Sequence, residues 1–174
     1  GITRGTSSKL TKINFDSSIN IIRCLKKNNN LKFFLFISTS HVYGYSNKKI
    51  NEGLKTKPIN KYGLSKKKTE DFILENRKKF KFKIGIARIF NVTGPAQRSG
   101  YFVSDIFKLI SKNKYIDNIN CYRDFIHIDD IMDSIKIIIT KQFEKTINIS
   151  SGKKINLIDV CEVINTLYFN KKIK

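Results

Sequence analysis

Short apolar runs of strand length alternate along this chain with longer stretches of helical periodicity, and that alternation limits the possible folds more than any other feature. Leu31 to Ile37 reads as a strand buried on both faces. Phe82 to Phe90 is a second strand and Thr146 to Ile149 a short third one. Between them lie stretches of a different period. From Ile13 to Lys26, Ile19, Ile22 and Cys24–Leu25 fall at nearly helical spacing, and the pattern stops at Asn28-Asn29-Asn30. Lys61 to Phe80 predicts a helix with Tyr62, Ser65, Lys66, Thr69, Phe72 and Ile73 on one face. Val103, Ile106, Phe107 and Ile110 mark another helix. Asp129 or Asp130 is expected to cap a helix from Ile131 to about Thr140. Asn156 is expected to cap the last helix, with Val160, Cys161, Ile164, Leu167 and Tyr168 facing inward. Strands and helices in this order imply an α/β protein built on a parallel sheet.

Composition excludes several classes. With 174 residues, 40% of them hydrophobic and 11% aromatic, the chain can bury a core and is not of disordered type. No apolar run approaches the ~20 residues that a membrane-spanning helix needs, and no secretory signal pattern is present. The expectation is a cytoplasmic protein with no membrane partner. The formal charge of +20 suggests a nucleic-acid binder, but the positive residues are almost all lysine, whereas arginine is favoured for base and bidentate phosphate recognition. Lys66-Lys67-Lys68 and Lys171-Lys172 read as solvated faces rather than binding patches. No nucleic-acid partner is expected, although the positive field would attract an anionic substrate. The cysteines, Cys24, Cys121 and Cys161, are far apart and complete no metal-type spacing with His41 or His127. They read as buried, reduced thiols, and no metal is expected.

The residues that can carry chemistry come in four blocks. Tyr62 and Lys66 stand four apart, on one helical face, in Tyr62-Gly63-Leu64-Ser65-Lys66. An ammonium beside a phenol favours the phenolate and lowers a pKa that starts near ~10. The phenol could then exchange a proton with a substrate hydroxyl. Alone, such a pair arises often by chance in a lysine-rich chain. Upstream, Ser38-Thr39-Ser40-His41-Val42-Tyr43-Gly44 begins where the first strand ends, and ligands of open α/β sheets bind beyond the carboxyl ends of strands. Downstream come Ala87-Arg88-Ile89-Phe90-Asn91-Val92-Thr93-Gly94-Pro95 and Tyr122-Arg123-Asp124-Phe125-Ile126-His127-Ile128-Asp129-Asp130.

In this order the four blocks resemble the extended short-chain dehydrogenase/reductase family, the NAD-dependent epimerases and dehydratases of nucleotide sugars. Asn148-Ile149-Ser150-Ser151-Gly152-Lys153 resembles a later segment of the same family, so the likeness covers nearly the whole chain. The resemblance implies a Rossmann-type doubly wound parallel sheet over residues 1–174. It also implies a small substrate-binding region formed mostly by about residues 95–174. It implies NAD or NADP as cofactor and a nucleotide-diphosphate sugar as substrate. In the roles it implies, Tyr62 is the general acid/base, Lys66 holds the nicotinamide ribose and tunes Tyr62, and Thr39 binds the reacting sugar hydroxyl. Asn14, Ser38, Phe90 and Val92 line the cofactor. Ser40, His41, Asn91 and Arg123 meet the sugar nucleotide, with Arg123 on its diphosphate.

The family's opening Gly-x-x-Gly-x-x-Gly loop has no counterpart in the chain. The resemblance therefore implies a partial sheet, with Gly1-Ile2-Thr3-Arg4 lying just after a fourth strand, about two further βα units ahead of Gly1 and more chain beyond Lys174. Dehydratases of the family place an Asp-Glu pair after the catalytic Ser/Thr, where this chain has Ser40 and His41, which ranks 4,6-dehydration below the other reactions. Epimerase/dehydratase-type chemistry is the first expectation. A 4-keto-sugar reductase is its close rival, because Gly94-Pro95-Ala96-Gln97 and Phe102-Val103-Ser104-Asp105 resemble GDP-4-keto-6-deoxymannose reductases. A non-catalytic nucleotide-binding member is a third alternative. A homodimer through the Tyr62 helix would also be in keeping with the family.

Overall fold

The computed structural model describes residues 5–46, 48–112, 114 and 119–170. The expectations for Gly1 to Arg4 and for Lys171-Lys172 lie outside the described residues. The chain divides into two compact units: residues 1–90 with 131–149, and residues 91–130 with 150–174.

The first unit is a parallel sheet of three strands in the order β1 (Phe33–Thr39), β2 (Lys83–Ile89), β6 (Thr146–Ile149). The alternation of strand and helix read from the sequence is therefore what the chain adopts. Two runs differ in position. β1 begins and ends two residues later than the apolar run suggested, so Ser38 and Thr39 belong to the strand itself. It is also not buried on both faces. Phe36 and Ser38 are buried, while Ile37 on the opposite face is 38% exposed, because the main apolar cluster packs on the Phe34–Phe36 face of the strand.

Helices cover the sheet. α1 (Ser7–Leu10) starts at Thr6, whose hydroxyl accepts the Lys9 N–H, and passes through a π-helical stretch (Thr11–Asp16) into α2 (Ser17–Leu25). α3 (Lys61–Asn76) ends earlier than its pattern suggested and tightens into a 3-10 turn (Arg77–Lys79). Ile22, Phe36, Ile73, Phe82, Ile84 and Ile86 form the main core cluster between these elements. Six such side chains contribute on the order of 1.5–3 kcal/mol each by leaving water.

In the second unit, β3 (Asn91–Thr93) pairs in parallel with β5 (Phe125–His127), and β4 (Tyr122–Arg123) pairs antiparallel with β7 (Ile155–Asn156). α4 (Phe102–Ser111) and α6 (Leu157–Tyr168) close a small core of Ile106, Ile110, Cys161 and Ile164. Asn156 caps α6 as expected, accepting the Ile158 N–H at 3.0 Å. The inner face of α6 stops short of its pattern. Leu167 and Tyr168 are 69% and 65% exposed, and Leu157 takes up the burial at the other end. α5 (Ile128–Thr140) crosses from one unit to the other. It starts ahead of Asp129 and Asp130, which stand inside its first turn, where their charge suits the positive helix end, rather than capping it. The thiols are free, but only Cys161 is buried; Cys24 is exposed and Cys121 intermediate.

Candidate active site

The carboxyl end of β1 and the first two turns of α3 bring the chemical residues of the first unit together. After Thr39 the chain turns through a 3-10 segment (Ser40–Val42), with the Thr39 hydroxyl accepting the His41 N–H at 3.3 Å. Val42 and Tyr43 plug into the core, and Gly44 reverses the chain at φ +76. A Cβ there would lie 2.2 Å from the Lys57 carbonyl oxygen, so the glycine after Val42-Tyr43 is sterically required.

α3 docks on that 3-10 segment. Asn60 caps the helix by accepting the Gly63 N–H at 2.7 Å. Its Oδ1 is thereby committed as an acceptor, so its Nδ2 donates to His41 Nδ1, at 2.8 Å. Gly63 lets the helix approach this closely, since a Cβ would stand 2.5 Å from the His41 carbonyl oxygen. The His41 and Tyr62 rings meet edge to face at 5.6 Å between centroids.

Tyr62 and Lys66 are both half-buried on α3. Lys66 Nζ donates to the Ile37 carbonyl at 2.9 Å and lies 4.9 Å from the centre of the Phe36 ring. Burial pushes its ammonium below the ordinary lysine range, and the negative charge of Glu70 opposes that push. An ammonium has three N–H donors. With one spent on Ile37, two remain for ligand hydroxyls among the described residues. The lysine run is thus not uniformly solvated: Lys67 pairs with Asp71, and only Lys68 is exposed.

Asn14 sits in the π-helical stretch, 1% exposed. Its Nδ2 donates to the Ser65 hydroxyl at 3.1 Å, which in turn donates to the Tyr62 carbonyl at 2.7 Å. The Asn14 carbonyl accepts the Thr69 and Ser18 hydroxyls. Asn14 is therefore tied to the backbone that carries Tyr62. π-Helical turns inside α-helices are frequent at functional sites.

Beneath the site runs a buried polar network that the sequence reading missed. Ser38, Arg88 and Asn148 are neighbours across β1, β2 and β6. Glu70, 1% exposed, takes two N–H groups of Arg88, with Nη2 at 2.6 Å from Oε2, and also accepts the Ser38 hydroxyl. Arg88 Nη1 donates to the Tyr43 hydroxyl at 2.8 Å, and that hydroxyl donates to Asn148 Oδ1 at 2.7 Å. Burial alone would push the Arg88 pKa down, but the hydrogen bonds and charge of Glu70 outweigh it and hold it up. Burial raises the Tyr43 phenol, with Arg88 opposing. Two signals in the sequence pointed here. A charge at Arg88 between Ile84-Gly85-Ile86-Ala87 and Ile89-Phe90 needs a partner, and Glu70 continues the Tyr62–Lys66 face by one more turn.

The other expected residues are placed as follows. Ser40 and Phe90 are half-buried in the first unit, and the Phe90 N–H donates to the Ile149 carbonyl. Asn91, Val92 and Arg123 belong to the second unit. Asn91 and Val92 pair with Phe125 and Ile126, and the Asn91 side chain donates to the Asp124 carbonyl at 2.8 Å. Arg123 is exposed and pairs with Ile155. The Asp124 carboxylate gathers the Ser151 N–H, the Ser151 hydroxyl and the Gly152 N–H at 2.8–2.9 Å. Among the described residues no cluster of metal-ligating side chains occurs. No helix there is long and apolar enough to cross a membrane.

Residues 3–150 match the family model described as the NAD dependent epimerase/dehydratase family. A GDP-6-deoxy-D-talose 4-dehydrogenase of Aggregatibacter actinomycetemcomitans is 33% identical over 146 residues, which cover 80% of this chain and 49% of that protein. The chain spans about half the length of curated relatives such as this one. Two solved structures share the fold. RMD of Pseudomonas aeruginosa, complexed with NADPH, has a TM-score of 0.85 at 22% identity, covering 96% of this chain and 64% of that one. A UDP-glucuronic acid 4-epimerase of Bacillus cereus, in complex with NAD, has a TM-score of 0.88 at 24% identity, covering 98% and 58%.

Proposed function

This chain belongs to the NAD-dependent epimerase/dehydratase family, and on that premise we propose that it carries the acid/base machinery of an NAD(P)-dependent enzyme acting on a nucleotide-diphosphate sugar. The observation that carries the reading is the placement of Tyr62 and Lys66, one turn apart on α3 beside the carboxyl end of β1. That is where an open α/β sheet receives its ligand.

When bound, NAD or NADP supplies hydride transfer at the sugar carbon. The chain's own residues handle the proton and the orientation. Tyr62 exchanges a proton with the reacting sugar hydroxyl, and the Lys66 ammonium makes the phenolate less costly. The two N–H groups that Lys66 has left would hold ribose hydroxyls of the dinucleotide. Thr39 already accepts the His41 N–H, so its own O–H can donate to the sugar oxygen. Ser38 and Asn14 serve the cofactor side by fixing the framework around Lys66 and Tyr62, and Phe90 and Val92 line it. Ser40, His41, Asn91 and Arg123 are the polar groups offered to the nucleotide sugar, Arg123 to its diphosphate.

A single-step 4-keto-sugar reductase is the second reading, favoured by the likeness to a 4-dehydrogenase. Dehydration ranks below both, because Ser40 and His41 provide no carboxylate pair. The readings separate in one assay with NAD(P)H, a panel of nucleotide sugars and their 4-keto forms. Steady loss of reduced-nicotinamide absorbance, abolished in Tyr62→Phe, identifies a reductase. Conversion without net loss, followed by NMR, identifies an epimerase or dehydratase. An untouched panel contradicts the enzymatic reading and leaves a nucleotide-binding protein.

A further inference from the structure

Among the described residues of the first unit, Glu70 is the one buried carboxylate, and its position relates it to the chemistry rather than to the core alone. It stands four residues after Lys66 and eight after Tyr62, so the three share a face of α3. Its partners come from two strands: Arg88 from β2 and Ser38 from β1, the residue next to Thr39. On the same face of the sheet, two residues nearer the amino ends, stand Phe36 and Ile86 of the apolar cluster. The Ser38–Arg88–Asn148 row thus caps the apolar core at the level where the strands give way to the site.

We propose that Glu70 is a positioning residue: held by Arg88 and Ser38, it anchors α3 over the carboxyl ends of β1 and β2 and so sets where Lys66 and Tyr62 stand. The inference rests on the reading of Tyr62 and Lys66 as the chemical pair. An apolar side chain at position 70 would pack the helix onto the sheet, but it could not fix the helix's rotation. Hydrogen bonds to two separate strands can, because each has a narrow range of distance and direction. The charge has a second effect. Burial disfavours the Lys66 ammonium, and Glu70 is the group that offsets this. The other charged or titratable groups nearby are Arg88 of β2 behind Glu70, Tyr62 one turn earlier on α3, and His41 of the 3-10 segment against Tyr62.

The test compares wild type with Glu70→Gln by two independent readouts. In the first, competitive acylation followed by peptide mass spectrometry measures how fast Lys66 reacts at fixed pH, and so how much of it is uncharged. In the second, turnover of the nucleotide-sugar panel is divided into kcat and KM. Loss of the opposing negative charge lowers the Lys66 pKa further, so Lys66 in Glu70→Gln should react several-fold faster at a pH below its titration range. kcat should fall on the order of a hundredfold with KM little changed, the expected result of a misplaced catalytic pair. A folded variant with acylation and kcat both within about twofold of wild type would overturn the proposal. Should Glu70→Gln fail to fold, Ser38→Ala keeps the ion pair and removes one anchor. A several-fold loss of kcat at an unchanged melting temperature then supports the proposal, and an unchanged kcat overturns it. Faster acylation in a protein that turns over no nucleotide sugar would uphold the influence of Glu70 on Lys66 and refute the proposed function instead.

Discussion

Each unit organises a junction of its strands around one carboxylate, and the two do it in opposite ways. Glu70 is 1% exposed and is answered by a full guanidinium charge, with Tyr43, Asn148 and Ser38 completing the hydrogen bonds. Asp124 is half-buried and is answered by two backbone N–H groups and one hydroxyl of the Ser151–Gly152 turn. The first arrangement takes two charges out of water, a step whose cost is recovered only while both partners stay in place. The second leaves the carboxylate partly hydrated and asks little of the protein. The difference teaches that the presence of a carboxylate at a strand junction does not set its weight. Desolvation does.

The largest expected effect follows from that. Glu70→Ala leaves Arg88 charged and unpaired in the interior, and its cost in denaturant unfolding should be about 3–5 kcal/mol. Asp124→Ala removes charge-assisted hydrogen bonds from a half-exposed turn and should cost about 1.5–3 kcal/mol. Equal costs would erase the distinction drawn between the junctions. Gly63→Ala comes next. Its methyl group would meet the His41 carbonyl, so α3 must shift away from the segment after Thr39, at about 1–3 kcal/mol, as in other overpacked sites. Its melting temperature and its kcat should fall together.

Smaller effects sharpen the picture. Burial raises the Cys161 thiol pKa, with Glu162 adding to it, while Cys24 is exposed. The thiolate is the reactive form. Titration of the native protein with a thiol reagent near pH 8 should therefore modify Cys24 first and Cys161 only on unfolding. Early reaction of Cys161 would show that the small core of the second unit opens readily. Asp71→Ala should change stability least, by no more than about 0.5 kcal/mol, since its pair with Lys67 spans one helical turn and is partly exposed. Against the pair that Glu70, on the same helix, makes with Arg88, it contrasts a partly exposed ion pair with a buried one.

What could be read from the sequence was local. Tyr62 and Lys66 share a helical face because a period of 3.6 places them there, and Asn156 caps α6 because a side-chain oxygen is needed at that point. The three main strands showed as apolar runs. The strands of two and three residues, β3, β4, β5 and β7, show no period, and their pairing joins segments about 30 residues apart. The Leu167–Tyr168 end of α6 shows the converse fault: the pattern continues after the neighbouring core has ended. In the site, Asn60 was passed over because its link to His41 spans 19 residues and is set by how α3 docks. Glu70 and Arg88 each carried a local signal, a charge where an apolar residue was due, but only the fold shows that one answers the other.

The most direct test of the central claim is conversion of a nucleotide-diphosphate sugar or its 4-keto form in the presence of NAD(P)H or NAD(P), followed by NMR and compared between wild type and Tyr62→Phe. The account predicts conversion by wild type, slowed on the order of a hundredfold or more when the phenol is lost. Equal rates in the two proteins, or no conversion of any sugar by wild type although the dinucleotide binds, would contradict it.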